Sequence, residues 1–319
     1  MSGSKKVVIA AMCGNILIAI TKFVAATVTG SSAMLSEGIH SLVDTGNGVL
    51  LLHGMKRAKT PPNERFPFGH GKEVYFWAFA VAILIFALGA GISLYEGVMH
   101  LRHPEPISNP LINYIVLGLA MVFEGTAWSI ALKEFRRTKG GRGYVEAISR
   151  GKDPTTFVVL FEDSAAMLGL LVALLGVLLT QVTGLLWFDG LASILIGLIL
   201  AGTACWLAYE TKGLLIGEAA NPKVVAGIRR AALSMPSIEA VNEVLTMHMG
   251  PDFILVNISV TFSPTLGTHR LESVIAELDR TLKAQDPRIK RVFVEAEAPF
   301  QPARRPGSMR LRVLSWSIQ

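Results

Sequence analysis

Six hydrophobic runs, each about 20 residues long, set the terms on which this 319-residue chain can fold. They lie near 6–29, 33–55, 74–100, 110–133, 155–180 and 185–209. A helix needs about 20 apolar residues to cross the roughly 30 Å of hydrocarbon in a bilayer. In that medium each segment must satisfy its own backbone N–H and C=O groups. Each run is therefore predicted to be a membrane-spanning helix. The second is the least apolar of the six. Lys5 and Lys6 ahead of the first run imitate a signal peptide, but the run is too long for one and a second span follows at once.

Charge usage agrees with a membrane protein: 17% of residues are charged, where a soluble protein carries about a quarter. Cys13 and Cys205 lie in apolar runs with no CxxC or zinc-finger spacing, so neither a disulfide framework nor a thiolate metal centre is expected. The net charge of +6 is not gathered into an aromatic-interleaved patch, and no nucleic-acid partner is expected. Lys and Arg fall between the runs instead. The 56–72 loop carries Lys56, Arg57, Lys59, Arg65 and Lys72, and the 133–152 loop carries Lys133, Arg136, Arg137, Lys139, Arg142, Arg150 and Lys152. The turns at 29–32 and 181–184 have none, and the 100–109 loop has only Arg102. Basic loops stay on the cytoplasmic side, which places both termini there. MSGSKK carries no Arg- and Ser-rich transit stretch, so a bacterial inner membrane is the expected location.

Beyond Lys212 the composition becomes that of a soluble domain. A helix is expected at 222–235, with Pro222 just inside it after an Asn221 cap. Strands at 239–248 and 253–262, a helix at 269–284 and a strand at 290–297 complete an α-β-β-α-β order. That order suits a small α+β unit with its helices on one sheet face. The predicted architecture is a membrane all-α, six-helix bundle over 1–212, a cytoplasmic α+β domain over 213–300, and a basic flexible tail over 301–319.

Ionisable residues inside the spans carry the functional signal, because charge in hydrocarbon is costly and is retained where it serves a site. On the second run Glu37, His40 and Asp44 fall at i, i+3 and i+7, and Asn47 continues the row, which sets them on one helix face. A His and a carboxylate one turn apart can reach one ion, with N/O chemistry that suits Zn²⁺ and similar divalent metals. On the fifth run Glu162 and Asp163 are adjacent, so at least one must turn into the bundle, where a cation offsets its desolvation. Glu124, midway through the fourth run, pairs with another buried polar group or serves a proton path. Asp189 opens the sixth run as a cap or interface residue, and Asn15 is read as an interhelical hydrogen-bonding group. No HExxH, GxSxG or HxxxH pair occurs, so an intramembrane metallohydrolase is the least favoured reading and no enzymatic activity is expected.

Six spans with cytoplasmic ends, HSLVD on the second, EDSAA on the fifth, the loop RFPFGHGKEVYFW and an α-β-β-α-β end together resemble the cation diffusion facilitators, the zinc-transporter type. The EDSAA form resembles a divergent subgroup of that family. The resemblance covers about residues 6–298. It implies a tetrahedral transport site built from the second and fifth helices, onto which His40 and Asp44 map directly. The fifth helix departs from the family pattern, since Ala166 stands four residues after Glu162 and Met167 four after Asp163. Either one acid completes a three-ligand site with water, or Glu162 and Asp163 both reach in. Glu37, with Asn47 and Glu124, is then a candidate for the exit or proton path. A loop metal site is matched only by His70, with Asn63 and Phe66 at neighbouring ligand positions, so a solvated loop histidine is the competing reading. A cytoplasmic site would draw on His248, His269, Glu295 and Glu297, the two glutamates sharing a strand face.

The resemblance further implies a homodimer joined through the cytoplasmic domain. The expected substrate is Zn²⁺, with Mn²⁺, Fe²⁺, Co²⁺ and Cd²⁺ open, exchanged against protons as the bundle rocks, and no organic cofactor is expected. Metal binding and protonation compete for the same ligands, and His40 has a reference pKa of about 6.5. The alternative is a degenerate metal-binding regulator or scaffold of the same fold.

Overall fold

The computed structural model describes residues 2–104, 110–139, 143 and 153–297. Its first helix, α1 (Ser2–Thr29), turns through Gly30 at φ 71° into α2 (Ser32–Arg57). The Ser31 hydroxyl caps α2 by accepting from the Met34 N–H at 3.2 Å. The third span is built in three pieces: α3 (Glu73–Leu84), a π-helical turn (Ile85–Ala90) and α4 (Gly91–Arg102). Then come α5 (Pro110–Lys139), α6 (Pro154–Thr183) and α7 (Trp187–Ile216). At the start of α6 Asp153 accepts from the Thr155 N–H and hydroxyl, with Pro154 in the first turn, and Gly184 at φ 72° stops its far end.

Five of the spans are long and apolar enough to cross a membrane by hydropathy. The remaining helix, α2, falls short because of the polar row it carries. It packs against α1, α3, α6 and α7 and so turns little of its surface outward. The lipid-facing surface comes from other helices: Ile16, Leu17, Ile20 and Val24 on α1, and Leu111, Ile115, Leu119 and Val122 on α5, are exposed. In a bilayer those side chains are in a matching medium. Helices α4 and α7 approach closely through small residues. A Cβ on Gly97 would lie 2.8 Å from the Gly190 carbonyl oxygen and 2.7 Å from Ile194.

A separate C-terminal unit begins at Pro222. Residues 247–255 excepted, it holds α8 (Pro222–Leu233), β1 (Ile238–Gly250), β2 (Phe253–Phe262), α9 (Thr268–Gln285) and β3 (Ile289–Ala296), in the α-β-β-α-β order expected. The sheet order is β1-β2-β3, which makes β2 central. Val256, Ile258 and Val260 alternate along β2 and are fully buried, as are Leu278 and Leu282 of α9. The period of two on the strand and of about four on the helix supply the two faces of one small core. The basic tail 301–319 lies outside the described residues, as do Arg142, Arg150 and Lys152 of the basic loop.

Candidate metal transport site

Helical spacing sets Glu37, His40, Asp44 and Asn47 in one row on α2, and all four are buried. His40 Nδ1 and Asp44 Oδ1 stand 3.4 Å apart. Neither atom has a hydrogen-bond partner, and neither does His40 Nε2. The gap is long for a hydrogen bond. It is the gap two donors leave around a tetrahedral ion, since bonds of about 2.0–2.2 Å put them about 3.4 Å apart. The spacing is thus compatible with an ion between the two side chains.

Helix α6 faces this pair with Glu162 and Asp163, both of them buried. Two neighbours 100° apart on a helix can both be interior here because α6 packs against α1, α2, α3, α5 and α7. Asn47 Nδ2 donates to Glu162 Oε1 at 2.8 Å and ties the α2 row to the α6 acid. Asp44 feels the charges of Glu162, Glu124 and Asp163, and Asp163 those of Glu124 and Glu162. Four carboxylates from three helices thus share one electrostatic neighbourhood. Neither carboxylate oxygen of Glu124, nor Asp163 Oδ2, accepts a hydrogen bond. On the next turn Trp128 Nε1 donates to Ser164 Oγ at 3.0 Å, holding α5 to α6. Among the described residues no three His, Cys, Asp or Glu side chains are drawn round one point. His40 and Asp44 form a close buried pair, with the α6 acids set beyond it.

Sequence reasoning missed Lys22. Its ammonium is fully buried, 3.0 Å from Glu37 Oε2, and donates to Ser41 Oγ at 2.9 Å. Glu37 therefore sits in a buried ion pair with α1, and its other oxygen lies where a Cβ on Gly169 would be. The signal was present: Asn15, Lys22 and Thr29 recur every seven residues on the first run, and all three are buried. A lysine in the middle of an apolar run is too far from either end to reach water.

Asp189 caps a helix, though not its own. Its Oδ1 accepts from the Ser31 hydroxyl at 2.7 Å, and Oδ2 from the Ser32 N–H at 2.7 Å and hydroxyl at 3.0 Å, all at the start of α2. A carboxylate there complements the positive end of the helix dipole. His70 is buried, not solvated, with Nδ1 3.6 Å from Glu73 and its ring 4.5 Å from that of Phe66. In the C-terminal unit Glu295 accepts from Asn257 at 3.0 Å and Glu297 from Ser259 at 2.5 Å, so both acids have partners on β2. His269 is exposed at the start of α9, and His248 is buried near the end of β1, 3.3 Å from the Gly250 carbonyl.

Residues 8–216 match the family model described as the cation efflux transmembrane domain. The chain belongs to the cation efflux family. This is the cation diffusion facilitator family whose motifs the sequence resembles. Over 294 residues it is 33% identical to the proton-coupled zinc antiporter SLC30A9, mitochondrial, of Xenopus laevis, covering 90% of this chain and 53% of that protein. The Homo sapiens protein of the same name is 36% identical over 250 residues, covering 78% of this chain and 44% of its own. Metal tolerance protein C4 of Arabidopsis thaliana is 26% identical over 262 residues, covering 82% and 57%. The chain thus spans about half the length of these relatives. As a cation efflux protein it is an integral membrane protein, in keeping with its apolar helices.

Proposed function

We propose that this chain exports divalent metal cations across a membrane, zinc foremost, in exchange for protons. One observation carries the reading. A buried histidine–aspartate pair on α2, spaced for an ion at 3.4 Å, faces buried acids on α6 to which Asn47 binds it. Similarity to proteins named as zinc antiporters supports both the metal and the exchange. In this reading His40 and Asp44 bind first, and Glu162 and Asp163 close on the ion as α2 and α6 move together. Protons arriving at the same groups displace it, because deprotonated ligands bind metal and protonated ones release it. In this reading the Lys and Arg excess in the loops keeps both termini in the cytoplasm, and export runs away from them.

Zinc uptake into inverted vesicles under an imposed proton gradient tests this. His40→Ala and Asp44→Ala are each expected to lower the initial rate at least about tenfold, the scale on which even a metal's outer partners act. Wild-type rates from both variants would end the assignment. The two-donor geometry also suits a chain that binds metal without carrying it. Such a chain keeps equilibrium binding that depends on His40 and shows no proton-driven flux.

A further inference from the structure

The third span ends in a second row of donors that the transport site does not use. Glu96, His100 and His103 follow one another at intervals of four and three residues. Together with Thr27, Ser31 and Ser32 they line a cavity of about 390 Å³, at the end of the bundle where α1 stops and α2 starts. His100 is 8% exposed, and its Nε2 has no hydrogen-bond partner. The acid nearest to it in the ion-pair geometry is Asp189, whose Oδ2 is 3.8 Å away. That is beyond hydrogen-bonding distance. Oδ2 is in any case occupied, accepting from the Ser32 N–H and hydroxyl and, at 3.3 Å, from the Ala33 N–H. An imidazole in the wall of a polar cavity is thus left with a bare nitrogen beside a committed carboxylate.

We propose that this cavity binds a divalent transition-metal ion of the zinc class, through the imidazoles of His100 and His103 and the carboxylate of Glu96. Two histidines and a glutamate are a zinc donor set that leaves a fourth position to water. Asp189 lies behind His100 and offsets the added positive charge while it goes on capping α2. Among the described residues the three donors do not yet surround one point. His103 is exposed and Glu96 half-buried, so both can swing onto an ion that His100 meets first. Three protein ligands and a water make a site with one exchangeable position. Its use as a release station for exported metal rests on the transport reading, whereas binding itself does not.

Equilibrium dialysis of the purified full-length chain in detergent against zinc chloride tests the proposal. His100→Ala/His103→Ala is expected to lose one zinc equivalent, and His40→Ala/Asp44→Ala to keep that equivalent while losing another. Unchanged stoichiometry and affinity in the first double variant overturns the outer site and leaves the transport reading standing. Loss in the first and none in the second keeps the outer site and sinks the transport assignment. If removal of His100 disturbs folding, seen as a broadened size-exclusion peak, His103→Ala/Glu96→Gln replaces it, since His103 is exposed and the Glu96 change keeps size and shape. That variant is expected to weaken the outer equivalent by at least about tenfold, and wild-type affinity refutes the proposal.

Discussion

Lys22 and Glu37 show what a single buried charge does in a membrane bundle. Their 3.0 Å pair crosses from α1 to α2 with both side chains fully buried, and Ser41 takes a second ammonium proton. Two opposite charges taken out of water together are tolerable, but one alone is not. Lys22→Met is therefore expected to destabilise the protein by about 3–5 kcal/mol, the usual cost of leaving a buried charge without its partner. Lys22→Met/Glu37→Gln should recover most of that loss. Thermal melting in detergent measures both, and a double variant no more stable than the single one would contradict the pairing. Glu37 was visible in the sequence as an expensive acid on the α2 face. Its pairing with Lys22 was not, because nothing in the sequence says which face of α1 lies beside α2.

At the scale of elements, helix existence follows from hydropathy, whereas helix contact depends on where small residues meet. Gly97 and Gly190 let α4 and α7 approach until backbone meets backbone, and neither helix can yield there. Gly97→Val is expected to cost at least about 1–3 kcal/mol, the range for overpacking a filled interior, and to lower the melting temperature. Gly118→Ala on α5 is the control, since a Cβ there meets nothing within 4 Å. It should leave the melting temperature unchanged or raise it slightly, as alanine favours helix. The π-helical turn Ile85–Ala90 inside the third span was not legible, because it depends on how that helix packs on α2 and α7 more than on its own apolar residues. The α2 helix is the converse case: its polar row weakens the hydropathy signal, yet the same row identifies it as an inner helix.

For the whole molecule, a membrane bundle and an α+β unit are joined in one chain, and we propose that the α+β unit pairs two copies. The sheet's outer strands, β1 and β3, expose Leu245 and Phe293, large apolar side chains of the kind that mark contact surfaces. Leu245→Glu/Phe293→Glu is expected to halve the protein mass measured by light scattering in detergent, and a dimer that survives the change argues against pairing through this sheet. The mostly helical apolar architecture, the α-β-β-α-β order and the His40–Asp44 face were determined by sequence alone. Each rests on a local period, about 20 apolar residues per crossing or three and four residues per helical turn, and such periods are written along the chain. Tertiary structure alone decided that both Glu162 and Asp163 are interior, that Lys22 holds Glu37, that Asp189 caps another helix, and that Glu96, His100 and His103 line a cavity. Those facts depend on which helix lies beside which, and on which buried polar groups that packing brings together across the bundle. Helix order in space is set by the packing of all six spans together, so no single stretch of residues records it.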